Sequence, residues 1–287
     1  MNFYRFNIIN SLFNTKYLFK SKHTKINKLK ILMLWIKINF KYLFVSKIIT
    51  LKKEKIMNYK INTFEYNTIR HLFEEIFLRN EYFFKDKNKK KIIFDCGANI
   101  GLSTIFFKWL YPESEIYAFE PDNRSFELLK KNIQQNNLKN VHLINKAITG
   151  QEGKVDFYYN IYSPGSLVMS TKKERLKDNK HKKKVDSIQL SKFIKKEKIS
   201  RINYAKIDIE GSEKELIKDL EKNKCLKIID KYNIEYHHKL KKTEDSLGSF
   251  LKIFENNNYS YQIETKTIPL NEENTPQDII LYIYKKN

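Results

Sequence analysis

Small and acidic residues follow an apolar run near residue 92. The run, Ile92-Ile93-Phe94, is typical of a buried parallel strand. The residues after it include Asp95, Gly97, Asn99 and Gly101. An amphipathic helix pattern begins at once, and the order strand, tight turn, helix delivers backbone N–H groups to a ligand. Glu120 ends the next apolar run, where a carboxylate can accept both hydroxyls of a ribose, so the pattern predicts a nucleotide-type binding turn.

The turn lacks the glycines that a dinucleotide requires. Counted from Gly97, that fingerprint needs glycine at two positions that hold Asn99 and Leu102. The Gly-Lys-Ser/Thr of a phosphate loop is missing as well, which disfavours a nucleoside triphosphate. A nucleoside without phosphates fits better, and S-adenosylmethionine is such a ligand. In the alternative reading, Asp95 only caps a helix and Glu120 is a surface acid.

A second set of candidates lies at the ends of two later strand patterns. Asp208 and Glu210 follow one of these strands, and His237 ends the next. Each is a candidate proton acceptor. In the alternative, Asp208 orders a turn, Glu213 caps the following helix and His237 is structural. Asp208, Glu235 and His237 would also suit a divalent metal, but their spacing does not require one, and we predict no metal site.

Alternating strand and helix patterns position both sets of residues. This order predicts an α/β fold, with a doubly wound, Rossmann-like sheet that is mostly parallel and has an antiparallel C-terminal edge strand. Thr63 to Phe84 is predicted as one helix, and the basic stretch 171–184 as a mobile, solvated loop. The predicted domains are a basic N-terminal extension (1–56), a helical cap and linker (57–90) and the ligand-binding domain (91–287).

Positive charge is concentrated in the N-terminal extension. The 287-residue chain has a net charge of +22, and residues 1–60 hold 13 lysines and Arg5 against Glu54 alone. Such charge suits RNA or an anionic membrane, although a biased genome gives the same composition. Two cysteines without metal-like spacing argue against disulfides and favour a reducing, cytoplasmic location.

The stretch 31–51 is apolar but interrupted by lysines. Its apolar runs are far shorter than the about 20 residues that a spanning helix needs. Lys30, Lys37 and Lys41 fall at spacings of seven and four, so a helix would carry a basic stripe opposite a wide apolar face. We therefore expect peripheral membrane contact through residues 28–51 as an addition to the cytoplasmic location. A solvated basic tail with a docked apolar patch is the alternative.

Three motifs resemble those of the FkbM-type methyltransferases. They are Phe94 to Gly101, Ala118 to Asp122 and Lys206 to Glu213, and they occur in the order typical of that family. The resemblance covers about residues 65–285 and leaves out residues 1–56. Cys96 departs from the small aliphatic residue that is usual at its position.

The resemblance implies a class I methyltransferase fold that binds S-adenosylmethionine at the C-terminal edge of the sheet. By position, the implied cofactor contacts are Asp95, Gly97, Ala98, Asn99, Gly101, Glu120, Pro121 and Ala147. The implied reaction is O-methylation of a sugar or another hydroxylated small-molecule or glycan acceptor, with Asp208, Glu210 and His237 as catalytic candidates. The alternative is a non-catalytic basic module that keeps the fold and binds RNA or an anionic membrane. Nucleic acid ranks below the enzyme because the sequence carries no recognised nucleic-acid motif.

Overall fold

The strand and helix alternation of the sequence is present from residue 92 onward. The computed structural model describes residues 8–160, 165–167, 169–176, 180–240, 246–265 and 277–286. The helices are α1 (Ile8–Lys20), α2 (Lys25–Phe40), α3 (Tyr66–Phe73), α4 (Leu102–Leu110), α5 (Asn123–Gln135), α6 (Leu190–Lys196), α7 (Glu213–Lys222) and α8 (Leu247–Asn256). The strands are β1 (Lys53–Ile56), β2 (Tyr59–Asn62), β3 (Ile92–Cys96), β4 (Glu115–Phe119), β5 (Val141–Ile144), β6 (Ala147–Ile148), β7 (Gly153–Asn160), β8 (Lys180–Ile188), β9 (Tyr204–Ile207), β10 (Lys231–His238), β11 (Tyr259–Glu264) and β12 (Gln277–Lys285).

Seven strands form the central sheet, in the order β11-β12-β10-β9-β3-β4-β5. The five strands from β10 to β5 in that order are parallel, whereas β12 is antiparallel to both of its neighbours. The predicted fold class is confirmed, with β12 inserted one position in from the edge strand β11. The strand order reverses between β3 and β9. Ligands of such sheets bind beyond the carboxyl ends of the strands at this switch point.

Both faces of the central sheet are covered by apolar side chains. Successive residues of a strand point to opposite faces, so Ile93 joins the core beneath α4 and Phe94 joins the core beneath α7. The strand β9 is buried along its whole length, as expected of a parallel strand with both faces covered. This burial fixes the positions of the strand ends and of the polar residues that follow them.

The N-terminal extension packs on the face of the sheet that α4 covers. The helix α2 begins after Thr24, whose hydroxyl caps its first turn. Ile31, Trp35 and Ile38 of this helix are buried in the same core as α4. The strands β1 and β2 form an antiparallel hairpin, and the predicted boundary between residues 56 and 57 falls in its turn. Met57, in that turn, has a φ of 52°.

Two lysines of the basic stripe predicted for α2 pair with an acid on β1. Lys37 and Lys41 donate to the buried carboxylate of Glu54 at 2.7 and 2.8 Å, and Tyr66 donates to it as well. Burial raises the pKa of Glu54, but these bonds outweigh burial and lower that pKa to about 2. An acid on β1, which the helical spacing does not reveal, therefore pairs with Lys37 and Lys41, while Lys30 and Lys37 remain exposed.

The helix predicted over residues 63–84 is shorter than expected. The helix α3 is followed by one π-helical turn, Glu74–Leu78, and the helical segment ends there. Asn80 then has a φ of 59°, a left-handed conformation that is typical after a helix C-terminus. The chain from this point to β3 therefore runs across the sheet as a non-helical segment.

The basic stretch 171–184, predicted as a mobile loop, is partly a strand. Residues from Lys180 onward form β8, which pairs antiparallel with β7 in a second, three-stranded sheet. The ammonium groups of Lys182 and Lys184 lie 3.8 and 3.0 Å from carboxylate oxygens of Asp156 on β7. The loop prediction failed because cross-strand charge pairs stabilise a run that composition alone assigns to solvent.

Candidate active site at the carboxyl edge of the sheet

The backbone of the turn after β3 packs closely against the backbone at the end of β9. Gly97 has a φ of 85°, and a Cβ on it would lie 1.9 Å from the carbonyl oxygen of Asp208. Gly101 has a φ of 90°, and a Cβ there would lie 2.6 Å from Leu129 Cδ1. Both positions therefore require glycine, for its left-handed backbone and for the close approach. The turn thus lies beside the switch point between β3 and β9.

The amide N–H groups of residues 97–101 are all bonded inside the protein. Residues 97 and 98 both donate to the carbonyl oxygen of Phe119, at 3.0 and 2.9 Å, and Asn99 donates to Glu120 Oε2 at 2.9 Å. The amides of residues 100 and 101 are bonded within the turn itself. The expectation that this turn offers its N–H groups to a ligand was wrong, because Phe119 of β4 accepts two of them and Glu120, which follows β4, accepts a third. This bonding agrees with the exclusion of a phosphate ligand.

Only one of the two carboxylate oxygens of Asp95 accepts hydrogen bonds from the described residues. We call a carboxylate oxygen without such a partner an open oxygen. Asp95 Oδ2 accepts bonds from the hydroxyls of Ser103 and Thr104 at 2.7 and 2.6 Å, which ties the end of β3 to the first turn of α4. Its Oδ1 is buried and has no hydrogen-bond partner among the described residues. The ammonium group of Lys206 lies 3.9 Å from Oδ1. The capping role considered for Asp95 therefore accounts for only half of its carboxylate.

Glu120 is buried at the carboxyl end of β4, not at the surface. Its Oε2 accepts the Asn99 amide, and its Oε1 accepts the Asp122 amide at 2.8 Å. In the ionised form each oxygen uses one of its lone pairs in these bonds, so both can accept one more donor. Burial raises the pKa of Glu120 to about 8.

The remaining predicted cofactor contacts flank this edge. Pro121 lies between Glu120 and Asp122, the N-cap of α5, and Asn145 donates to the Pro121 carbonyl oxygen at 3.4 Å. Ala147 is buried on β6 within the apolar cluster of the three-stranded sheet. The assignment of these two residues to the cofactor stays a prediction.

Lys206 connects the two halves of the site. Its ammonium donates to the Gly97 carbonyl oxygen at 2.6 Å and lies 3.3 Å from Asp208 Oδ2. Its side chain is 3% exposed. Burial lowers the pKa of Lys206, but Asp208 and Asp95 outweigh burial and raise it, so the group is a cation at neutral pH. Sequence reasoning assigned it no role, although a lysine inside an otherwise apolar four-residue strand was a readable signal.

Asp208 lies at the carboxyl end of β9, beside the cofactor turn. Its amide donates to the Cys96 carbonyl oxygen at 3.1 Å, which extends the pairing of β9 with β3. Its Oδ2 faces Lys206, whereas its Oδ1 has no hydrogen-bond partner among the described residues. Burial raises the pKa of Asp208, and Lys206 offsets part of that rise. The open oxygen makes Asp208 a competent proton acceptor.

Glu210 and His237 are engaged with each other and with further charges. Glu210 Oε2 lies 3.1 Å from His237 Nε2 and also accepts a bond from Arg175 Nε. His237 Nδ1 lies 3.0 Å from Glu213 Oε1. Burial lowers the pKa of His237, but Glu210 and Glu213 outweigh burial and raise it well above its usual value. The imidazole is therefore a cation between two carboxylates, which disfavours it as a proton acceptor.

Arg175 was missed by the sequence reasoning. It lies in the basic stretch that was assigned to solvent, yet its side chain is only 14% exposed because it pairs with Glu210. Its Nη1 also lies 3.2 Å from Asp278 on β12. No local pattern marks this arginine among its basic neighbours.

Three donor atoms come close enough to share a cation. One oxygen each of Asp208 and Glu235 and one nitrogen of His237 all lie within 4.8 Å of one another. Oxygen and imidazole donors suit a divalent metal. The metal would compete with the ion pairs of His237 and with Lys206 beside Asp208, so a metal requirement does not follow from this geometry.

Comparison with known proteins identifies the family of this chain. The Methyltransferase FkbM domain model matches residues 95–261, which is more than half of the chain and includes the end of β3 and all of β4, β9 and β10. The chain belongs to the FkbM methyltransferase domain family. This membership confirms the resemblance found in the sequence motifs. The cofactor predicted from the sequence, S-adenosylmethionine, is the methyl donor of this family.

Individual relatives are distant. Methyltransferase 1 of Beauveria bassiana is 24% identical over 168 residues, which is 53% of this chain and 68% of that protein. Methyltransferase sdnD of Sordaria araneosa is 24% identical over 197 residues, which is 60% of this chain and 75% of that protein. The crystal structure of methyltransferase FkbM from Methylobacillus flagellatus is 17% identical with a TM-score of 0.45. That alignment covers 76% of this chain and spans 54% of the length of the other.

Proposed function

We propose that this member of the FkbM methyltransferase family transfers a methyl group to a hydroxyl oxygen of a sugar or another hydroxylated small-molecule or glycan acceptor. One observation carries the proposal: Asp208, whose backbone carbonyl packs against Gly97 at the switch point of the sheet, has a carboxylate oxygen, Oδ1, that no described residue bonds. A carboxylate in this place can accept a hydroxyl proton next to the cofactor turn. The choice of oxygen and of a sugar-like acceptor rests on the resemblance to the family.

The residues around the turn suit a nucleoside cofactor that carries positive charge. When bound, S-adenosylmethionine supplies an electrophilic methyl group on a sulfonium. Asp95 Oδ1 offers a buried carboxylate oxygen that no described residue bonds, and Glu120 can accept further donors as a ribose requires. We propose that the cofactor is held by Asp95, Gly97, Ala98, Asn99, Gly101, Glu120, Pro121 and Ala147.

The catalytic roles follow from the charges at the strand ends. Methyl transfer is an in-line attack, so the protein chiefly aligns the acceptor and takes up its proton. We assign the proton to Asp208, and we assign Glu210 and His237 to positioning, because their ion pairs hold the backbone after β9 against β10. Lys206 keeps the Asp208 carboxylate oriented through the 3.3 Å ion pair.

The proposal extends to partners beyond the acceptor. Residues 28–51 are proposed to contact a membrane, since their outward side chains are largely apolar. The described residues contain no helix that is long and apolar enough to cross a membrane. The non-catalytic alternative, a basic module that only keeps the fold, is disfavoured by the family match over residues 95–261.

A transfer assay with a panel of acceptors tests the proposal. Purified protein would be incubated with S-adenosylmethionine labelled in the methyl group and with sugars, polyols, amines or thiols. We expect label in a hydroxylated acceptor and its loss with Asp208→Asn, while Glu115→Gln, an exposed acid at the opposite end of β4, stays active. Label that enters amines or thiols and never hydroxyls would contradict O-methylation.

A further inference from the structure

The outward side of the N-terminal extension is apolar rather than polar. Among the described residues, eleven large apolar side chains are exposed, and nine of these lie between Phe19 and Ile49. The most exposed is Ile48, at 85%. Single exposed apolar residues are normal on any soluble protein, but a concentration in one segment marks an interaction surface.

Along α2 these side chains form one continuous row, which we call the apolar row. Its members are Ile26, Leu29, Met33, Ile36, Phe40 and Phe44. Their intervals of three and four residues keep them on one side of a helix that turns by about 100° per residue. Phe44 belongs to the π-helical turn that follows α2, and its ring centroid lies 5.1 Å from that of Phe40. The row therefore continues past the end of the helix.

The side of α2 opposite the apolar row packs on the domain, and this packing keeps the apolar row exposed. Ile31, Trp35 and Ile38 are buried in the core that α4 shares. Lys37 and Lys41 are drawn to Glu54 below the helix. The helix is apolar on two sides, and because the domain occupies only one of them, the row cannot turn inward without breaking that core.

The charges beside the row identify its partner. The first 53 residues contain 11 lysines and Arg5 and no acidic residue. Lys22, Lys25, Lys30 and Lys47 are exposed near the row. An apolar helix face bordered by lysines is the pattern of a helix that lies in the interface of an anionic bilayer. A second copy of this chain would oppose two basic surfaces, and RNA would leave the apolar side chains in water.

We propose that the apolar row and the lysines beside it dock the protein on an anionic lipid bilayer, with α2 in the plane of the membrane interface. This inference rests on the membrane contact proposed for residues 28–51, and it names the contact surface and the lipid class. It differs from the orientation predicted from the sequence, in which the stripe of Lys30, Lys37 and Lys41 faced away from the apolar side.

Co-sedimentation of the full chain with vesicles tests the docking surface. The vesicles are phosphatidylcholine alone or phosphatidylcholine mixed with phosphatidylserine. We expect wild type to sediment with the mixed vesicles, and Met33→Glu/Ile36→Glu/Phe40→Glu to bind them about tenfold or more weakly. Ile263→Glu changes an exposed apolar residue outside the row and should bind as wild type does.

A second variant set tests the lipid class. Lys25→Gln, Lys30→Gln and Lys47→Gln should each weaken binding to the mixed vesicles by about fivefold and leave binding to phosphatidylcholine alone unchanged. Equal sedimentation of wild type with both vesicles would overturn the anionic assignment. Undiminished binding by the triple glutamate variant, or no binding by wild type, would overturn the docking surface.

Two further readouts separate the alternatives. Light scattering after gel filtration reports oligomeric state, and a dimer that the triple glutamate variant dissociates would overturn the proposal in favour of a second copy. Calorimetric binding of S-adenosylmethionine should be the same in wild type and the triple variant. If wild type bound the mixed vesicles but did not bind S-adenosylmethionine, the proposed enzyme would be refuted and the docking inference would stand.

Discussion

Two groups of carboxylates with buried oxygen atoms differ in how fully those oxygens are hydrogen-bonded. Glu54 accepts bonds from Lys37, Lys41 and Tyr66, and from the Lys55 amide at 2.8 Å. Asp95 and Asp208 at the carboxyl edge of the sheet each keep one oxygen that no described residue bonds. The pKa of Glu54 lies near 2, whereas burial raises the pKa of Asp208.

The difference separates a structural use of a buried acid from a functional one. A carboxylate with all its lone pairs occupied stabilises the fold and has no capacity left for a ligand. A buried carboxylate with an open oxygen costs stability unless a partner arrives, and such groups concentrate at functional sites. The carboxylate of Glu54 thus stabilises the N-terminal extension, whereas Asp95 and Asp208 keep acceptor capacity for the cofactor and the acceptor that we propose.

The largest effect is expected from the open acid beside the cofactor turn. Asp208→Asn removes the proton acceptor but keeps the shape, so methyl transfer should fall by about a hundred- to ten-thousand-fold. The affinity for S-adenosylmethionine, measured by calorimetry, should change by only about threefold, because the role assigned to this carboxylate lies with the acceptor proton. Glu54→Gln is the matched control, since it alters a buried acid without touching the edge. Transfer by Asp208→Asn within a few-fold of wild type would contradict the assigned role.

The buried lysine of the edge should matter more for stability than a lysine of the extension. Lys206→Met leaves the buried carboxylate of Asp95 and the partly buried carboxylate of Asp208 without their cation, so the free energy of unfolding should fall by about 3–5 kcal/mol. Lys41→Met should cost only about 1 kcal/mol, because its side chain is 30% exposed and Glu54 keeps Lys37. Urea denaturation measures both variants. Equal losses would remove the distinction between the two regions.

The two regions should respond to pH with opposite signs. Glu54 has a folded pKa of about 2 against an unfolded value near 4.5, so its stabilisation is complete above about pH 4.5 and is lost as the pH falls toward 2. Glu120 has a folded pKa of about 8, so the fold loses stability as the pH rises from about 4.5 to 8. Unfolding free energies across pH measure both effects.

Each acid has a variant that isolates its contribution. Glu54→Gln should reduce the acid-dependent change in the free energy of unfolding by about 3 kcal/mol, as expected for a pKa difference of about 2.5 units. Glu120→Gln should reduce the pH dependence of the free energy of unfolding only between about pH 4.5 and 8. A Glu54→Gln profile that still falls as steeply in acid as wild type would show that this ion cluster does not dominate.

The smallest effect is expected at the ribose end of the site. Glu120→Gln replaces one acceptor oxygen by a donor, so the affinity for S-adenosylmethionine should fall by about tenfold. Glu115→Gln, at the opposite end of β4, should leave the affinity unchanged. The measurement is calorimetric titration of both variants at one pH, and indistinguishable affinities would remove Glu120 from the cofactor site.

Local patterns in the sequence predicted the parts of this structure that depend on neighbouring residues. The apolar run before Asp95, the glycines at 97 and 101 and the acid at 120 each follow from a short segment. The strand alternation predicted the doubly wound sheet. These features depend on the period of side chains and on backbone conformation, both of which are visible in one stretch of chain.

Contacts between distant segments could not be predicted in this way. The bond from Lys206 to Gly97 joins residues 109 positions apart, and the bond from Arg175 to Glu210 joins residues 35 positions apart. Which face of α2 points outward could likewise not be predicted from the sequence, because the helix is apolar on two sides. The packing of Ile31, Trp35 and Ile38 on the core, together with the place of Glu54, decides which side meets solvent.

Calorimetric titration with S-adenosylmethionine tests the central claim most directly. Wild type and Glu54→Gln should each bind one cofactor with the same affinity. Asp95→Asn keeps an oxygen for the Ser103 and Thr104 hydroxyls but changes the open one, and should bind at least about tenfold more weakly. Absence of binding by folded wild type, or unchanged affinity in Asp95→Asn, would contradict the assignment of the sheet edge to the cofactor.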